Sequence, residues 1–125
     1  MSIKYEIEPR KGVILTTVSG TVTEEEVTKY LGEVFLHPKR GHPYREIFDL
    51  RDVTKFDVDM EGARRIVAFA KHYQAHWENG QVALVAPRDY EFGMARVIGA
   101  YADDMPFEFR VFRNMNDAKA WIELD

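Results

Sequence analysis

Gln81-Val82-Ala83-Leu84-Val85-Ala86 is the segment that most restricts the fold. Five consecutive apolar residues stand between Asn79-Gly80 and Pro87, too short a run for a buried helix and without the alternation of a half-solvated strand. Such a run fits a strand covered on both faces in the middle of a sheet. Helices must then lie above and below it, and the flanking segments have to supply them.

Those flanks carry the helical period. Ala63, Ile66, Val67, Ala70, Tyr73 and Trp77 share a broad face ahead of the run, which Asn79-Gly80 ends. Phe92, Met94, Val97, Ile98 and Tyr101 recur after it, with Asp89 as the expected cap and Asp103-Asp104, ahead of Pro106, as the stop. Upstream, Ile3, Tyr5 and Ile7 alternate as a strand, Pro9 to Gly12 supplies a turn, and Val13 to Val18 forms a second strand broken by Gly20. Thr23 and Glu26 make a capping box for a helix bearing Val27, Tyr30, Leu31 and Val34, stopped by His37-Pro38. Glu46 to Leu50 predicts a third strand and Phe107 to Phe112 a fifth. Asn114 or Asn116 caps a last helix with Ala118, Trp121 and Ile122 inward.

The order is therefore ββαβαβαβα: one α/β domain over residues 1–125, with a five-stranded, mainly parallel mixed sheet and four helices. The N-terminal strand is free to lie antiparallel. Burying this sheet uses nearly every large apolar residue and leaves few for a special pocket.

Composition narrows the function classes. A net charge of -4 without a basic cluster argues against a general nucleic-acid binder. Zero cysteines exclude disulfides, thiol catalysis and thiolate metal sites, and fit a reducing compartment, so cytoplasm is the expectation. Met1 to Glu8 alternates instead of forming a secretion signal, and the mature chain is expected to start here. No apolar stretch approaches the roughly 20 residues that a membrane-spanning helix needs.

"FDLRDVTKFDVDMEG", Phe48 to Gly62, then places four aspartates and a glutamate between strand three and helix two. This order of elements, with Asp49-Leu50-Arg51-Asp52-Val53-Thr54-Lys55-Phe56-Asp57 in that connection, resembles the STAS domains, including the SpoIIAA-type anti-sigma-factor antagonists. Val13-Ile14-Leu15 leading to Ser19-Gly20-Thr21-Val22-Thr23 is similar to the family's apolar strand and its glycine. Asp117 to Ile122 is similar to the closing helix of the SpoIIAA-like branch. In the antagonists the stretch matching Asp57-Val58-Asp59-Met60 reads Asp-Ser-Ser-Gly, and a serine there is phosphorylated to switch partner binding. Asp59 takes that serine's place, so the resemblance implies a binding module without the phosphorylation cycle.

The acids admit two readings of their own. A phosphoacceptor or magnesium site built on Asp49, expected at a strand's carboxyl end, would need a hydroxyl and a lysine on neighbouring strand ends. Ala86-Pro87-Arg88 and Phe112-Arg113-Asn114 stand there instead. The simpler reading has Asp57 or Asp59 accepting from open amides of helix two, with Glu61 complementing its dipole.

Other candidates are thinner. His72 and His76 have metal-helix spacing but no third ligand, and no metal or cofactor is expected. Only Ser2 and Ser19 offer serine nucleophiles, neither at an elbow, so no catalytic residue is assigned. His37 to Pro43 reads as a solvated basic loop. Ala95, Gly99 and Ala102 form a small-residue stripe that permits close packing on the sheet or on a second protomer of a homodimer.

Two surfaces follow. The first is a protein-partner surface of Asp57, Asp59 and Glu61 bordered by Arg64 and Arg65. The alternative is a site for a small anionic or amphipathic ligand at Asp49, Arg88, Tyr90 and Arg96, unless Arg88 merely pairs with Asp49 or Asp52.

Overall fold

In the computed structural model, which describes residues 2–124, the first two strands form an antiparallel pair. These are Ser2–Ile7 (β1) and Ile14–Thr23 (β2), with Ile3 opposite Val18 and Tyr5 opposite Thr16. Arg45–Asp57 (β3), Gln81–Val85 (β4) and Glu108–Phe112 (β5) then add in parallel, giving the spatial order β1-β2-β3-β4-β5. Glu24–Phe35 (α1), Met60–Lys71 (α2), Gln74–Trp77 (α3) and Asp89–Tyr101 (α4) connect the strands, and Met115–Ile122 (α5) closes the chain. The α/β class and the mixed five-stranded sheet match the pattern in the sequence, and β4 is covered on both faces as expected, but the middle place in the sheet belongs to β3 and β4 lies next to the edge strand.

Four local expectations are corrected. The periodic face from Ala63 to Trp77 is divided into α2 and α3, so there are five helices and not four. The Trp77 indole N–H donates to the Ala70 carbonyl at 2.7 Å, taking an acceptor that a continuing helix would offer to Gln74. His72 consequently sits at the C-cap of α2, whereas His76 lies in α3. Strand three does not stop at Leu50 but runs to Asp57, which places Asp49 inside the strand rather than at its end. Gly20 does not break β2. It sits at φ +74° beside a register shift, and the ladder with β3 continues past it to Thr23 opposite Asp57. Asp89 is the first residue of α4 and not its cap: Arg88 holds the cap position without a side-chain bond, and Asp89 pairs with Arg113 at 2.7 Å.

The other caps follow the sequence. Thr23 accepts from the Glu26 amide at 3.4 Å, and its hydroxyl donates to the Glu26 carboxylate at 2.8 Å. Asn114 accepts from the Asp117 amide at 2.9 Å.

The two faces of the sheet are covered unequally. Ile14, Val18, Phe48, Leu50 and Leu84 point into the larger core beneath α1, α2 and α4, whereas Val13, Ile47, Ala83 and Val85 meet Ala118 and Ile122 of α5 alone. Gly99 is where α4 rests on β5: a methyl group there would stand 3.0 Å from the Phe109 ring, so the small-residue stripe serves packing within the chain.

A carboxyl group lies in the larger core. Glu46 has the inward parity of Phe48 and Leu50 and is only 2% exposed. Its carboxylate accepts from the Tyr44 hydroxyl at 2.8 Å, from Thr16 at 3.0 Å and from the Tyr30 hydroxyl of α1. Burial raises its pKa above the ordinary 4.5, against the opposing pull of the three hydroxyl donors. Burial, with the Glu46 charge beside them, drives the Tyr30 and Tyr44 hydroxyls upward in turn, so both stay donors.

A carboxyl raised on folding binds a proton in the native state that the unfolded chain has released. Its contribution is therefore complete below about 4.5 and is lost as pH rises through the folded value. Glu46→Gln removes this titration. The melting temperature of the wild type relative to Glu46→Gln should fall as pH rises above about 4.5, followed by calorimetry; a pH-independent gap would contradict it.

Candidate functional site

β2, β3 and β4 all lead into helices at the same end of the sheet, which gathers the starts of α1, α2 and α4 there. This is the end where open α/β sheets bring ligands and partners. β3 overshoots β4, whose pairing stops at Asp49 opposite Val85, and so leaves carbonyls along one edge. Arg88 fills that gap. Its guanidinium donates to the carbonyls of Arg51 and Leu50 at 3.4 Å each and to that of Val53, with Glu91 at 3.4 Å beyond. It ties the loop to β3 through backbone carbonyls, and the expected pairing with Asp49 or Asp52 is not the one formed.

Helix α2 begins where β3 ends. Asp59, extended at φ -91° and ψ -176°, accepts from the Gly62 amide at 2.7 Å, while its own carbonyl takes the Ala63 amide at 2.9 Å. Asp57 lies at the strand end, not on the cap. Gly62 lets three groups crowd together, since a methyl group there would stand 3.1 Å from both Glu24 Oε1 and Val58 Cγ1.

Glu24, the first residue of α1, receives Arg65 through two bonds of 2.7 Å, and that guanidinium holds its carboxyl below the ordinary range. Arg64 instead lies over the Tyr101 ring at 5.3 Å. Asp57, Asp59 and Glu61 all face solvent.

Two apolar side chains stand among these charges. Met60 is 58% exposed and Tyr90 56%. Tyr90 sets its ring edge-on to Phe56 at 6.3 Å and donates to the Val58 carbonyl at 3.3 Å, which holds it against the start of α2. Leu36, the other large apolar side chain so exposed among the described residues, lies just past the end of α1.

The residues of the alternative site are dispersed. Asp49 is 5% exposed, shares the parity of Ile47 on the α5 face, and receives Arg51 through bonds of 3.0 and 2.9 Å. That ion pair raises the Arg51 pKa. Asp49 opens onto a groove with Lys4, Thr17, Met115 and Lys119, whereas Arg88 lies along the β3 edge and Arg96 is exposed on α4. Of the set, the structure brings Arg88 and Tyr90 to one end of the sheet, and both are engaged with main-chain carbonyls.

Sequence reasoning missed two features. The Glu46 cluster had a signal in the inward parity of Thr16 and Glu46. The second is a cavity of about 110 Å³ inside the larger core, walled by residues such as Val27, Phe35, Leu50, Ile66, Ala95 and Met105. The expectation that burying the sheet leaves few apolar residues for a special pocket is thus corrected: the residues that cover the sheet also line this space.

Among known proteins, a family described as SpoIIAA-like matches residues 13–123. The fold is similar to that of an uncharacterized protein of the DUF3478 family with a SpoIIAA-like fold from Shewanella loihica PV-4, with a TM-score of 0.60 and 17% identity over 97% of this chain and 92% of that one. No curated protein matches. Among the described residues no helix is long and apolar enough to cross a membrane.

The cap geometry sets a measurable cost. Asp59→Ala should lower unfolding free energy by about 1 kcal/mol, and Asp59→Asn by a few tenths. Denaturant unfolding checks this, and equal losses in the two variants would contradict the hydrogen bond to Gly62.

Proposed function

Because the chain belongs to the SpoIIAA-like family, we propose that it is a non-catalytic, STAS-type interaction module whose contact surface is the start of α2. The observation that carries this reading is the exposed pair Met60 and Tyr90 set among Asp57, Asp59 and Glu61. Interfaces draw most of their energy from a few aromatic and thioether anchors inside a polar rim, and this surface has that composition. Arg64 and Arg65 border it, but Tyr101 and Glu24 engage their guanidinium groups. The free charge of the patch is acidic, which favours a partner with basic residues around an apolar depression.

Asp59 stands where the antagonists carry their phosphorylated serine and is bound to the Gly62 amide. With no hydroxyl at position 59 to modify, that position carries a fixed charge, and partner binding does not depend on a phosphorylation cycle there. The cysteine-free chain suits work in the cytoplasm. A small-ligand site at Asp49, Arg88, Tyr90 and Arg96 has less support, because Asp49 is already paired and Arg88 already donates to carbonyls.

Affinity capture from native cytosol tests the surface. Met60→Glu combined with Glu61→Lys should reduce recovery of the bound protein about tenfold, the loss expected of a moderate hot spot. Leu36→Ser, at the exposed site past α1, should leave recovery unchanged, and both variants should melt near the wild type. Undiminished recovery with the double variant, or equal loss with Leu36→Ser, would contradict the assignment.

A further inference from the structure

We propose that the outer edge of β1 pairs with β1 of a second copy of this chain, antiparallel and two-fold symmetric, with Lys4 of each copy opposite Glu6 of the other. This inference does not rest on the protein-interaction reading, since β1 stands at the edge of the sheet and Met60 and Tyr90 belong to α2 and α4.

β1 has β2 as its one neighbouring strand, and its other side carries open backbone groups. The Glu8 amide donates to the Val13 carbonyl and the Glu8 carbonyl accepts from the Gly12 amide, both at 2.8 Å, so the main chain of Glu8 faces β2. The ladder between the two strands runs without a register shift, and backbone direction alternates along a strand. Lys4 and Glu6 therefore also turn their main chain to β2, whereas Ile3, Tyr5 and Ile7 direct their N–H and C=O groups outward. Edge strands are ordinarily blunted by prolines, bulges or lysines. β1 has neither proline nor bulge, and its one lysine is followed two places on by Glu6.

Charge decides the register. A two-fold pairing centred on Lys4 sets Lys4 against Lys4, and one centred on Glu6 sets Glu6 against Glu6, and both repel. Centring on Tyr5 sets Tyr5 against Tyr5, Ile3 against Ile7 and Lys4 against Glu6, the last two contacts made twice by symmetry. The outward groups of Ile3, Tyr5 and Ile7 then meet their counterparts and form about six main-chain bonds.

The side chains suit this pairing. Lys4 and Glu6 are exposed and, among the described residues, take part in no ion pair. Ile3, Tyr5 and Ile7 are partly buried against the larger core, and the second strand extends that apolar layer across the joined sheet. The opposite edge is less suited, because the Arg110 guanidinium of β5 already lies over the rings of Phe112 and Trp121 at 5.7 and 5.8 Å.

Two six-residue strands make a contact smaller than a standard interface, so the dimer forms reversibly as concentration rises. Sedimentation equilibrium on the full chain follows this. Lys4→Glu alone and Glu6→Lys alone each bring like charges together at both contacts and should weaken self-association at least tenfold. An equimolar mixture of the two variants restores opposite charges at both contacts and should form a heterodimer about as readily as the wild type dimerises. The double variant Lys4→Glu with Glu6→Lys, which exchanges the two charges, should dimerise like the wild type and serves where either single variant does not fold. A wild type that stays monomeric to about 1 mM, folded single variants that dimerise like the wild type, or a mixture or double variant that stays monomeric would overturn the pairing.

Discussion

The parallel ladder between β2 and β3 is the constraint on which the rest of the structure depends. It runs from Ile14 opposite Glu46 to Thr23 opposite Asp57, interrupted by register shifts after Thr17 and Gly20. β4 pairs with only the first part of β3. The overshoot delivers α1 and α2 side by side at one end of the sheet, and the Glu24–Arg65 ion pair joins their first turns. It also exposes the carbonyl edge that Arg88 covers. A shorter β3 would remove the platform on which Val58, Asp59 and Met60 stand.

Deeper in the same ladder, Glu46 links strand and helix. A carboxyl group in an apolar interior is tolerated only where hydrogen bonds replace water, and Thr16, Tyr30 and Tyr44 supply them from β2, α1 and the approach to β3. Such a cluster resists rearrangement, because moving any one partner leaves a buried polar group short of a hydrogen bond. The cavity next to it has the opposite character, with walls that are almost wholly apolar. A polar anchor and an apolar space thus share one core.

The elements legible in the sequence were those with an unbroken period or a chemical cap. β4 declared itself as an apolar run, and α1 and α5 through Thr23 and Asn114. The second half of β3 did not, because its buried residues Leu50, Val53 and Phe56 are spaced three apart, which bulges permit and a period of two hides. The end of α2 was hidden for a different reason: Trp77 continues the helical face, and only its indole bond to Ala70 reveals the break. At the site, the acids and arginines around Met60 were legible from charge placement. The exposed Met60–Tyr90 pair was not, since nothing in the spacing says that the strand end and the start of α4 converge.

The acids that first suggest chemistry are therefore distributed among structural tasks. Asp59 holds an amide, Asp49 holds an arginine, and Asp52, Asp57 and Glu61 are exposed at the surface. That arrangement has the composition of a contact surface. A photo-crosslinking amino acid placed at Met60 in living cells tests this most directly. The account predicts a discrete crosslinked adduct with a second polypeptide from position 60 and none from the same probe at Leu36. No adduct from position 60, or the same adducts from both positions, would contradict it.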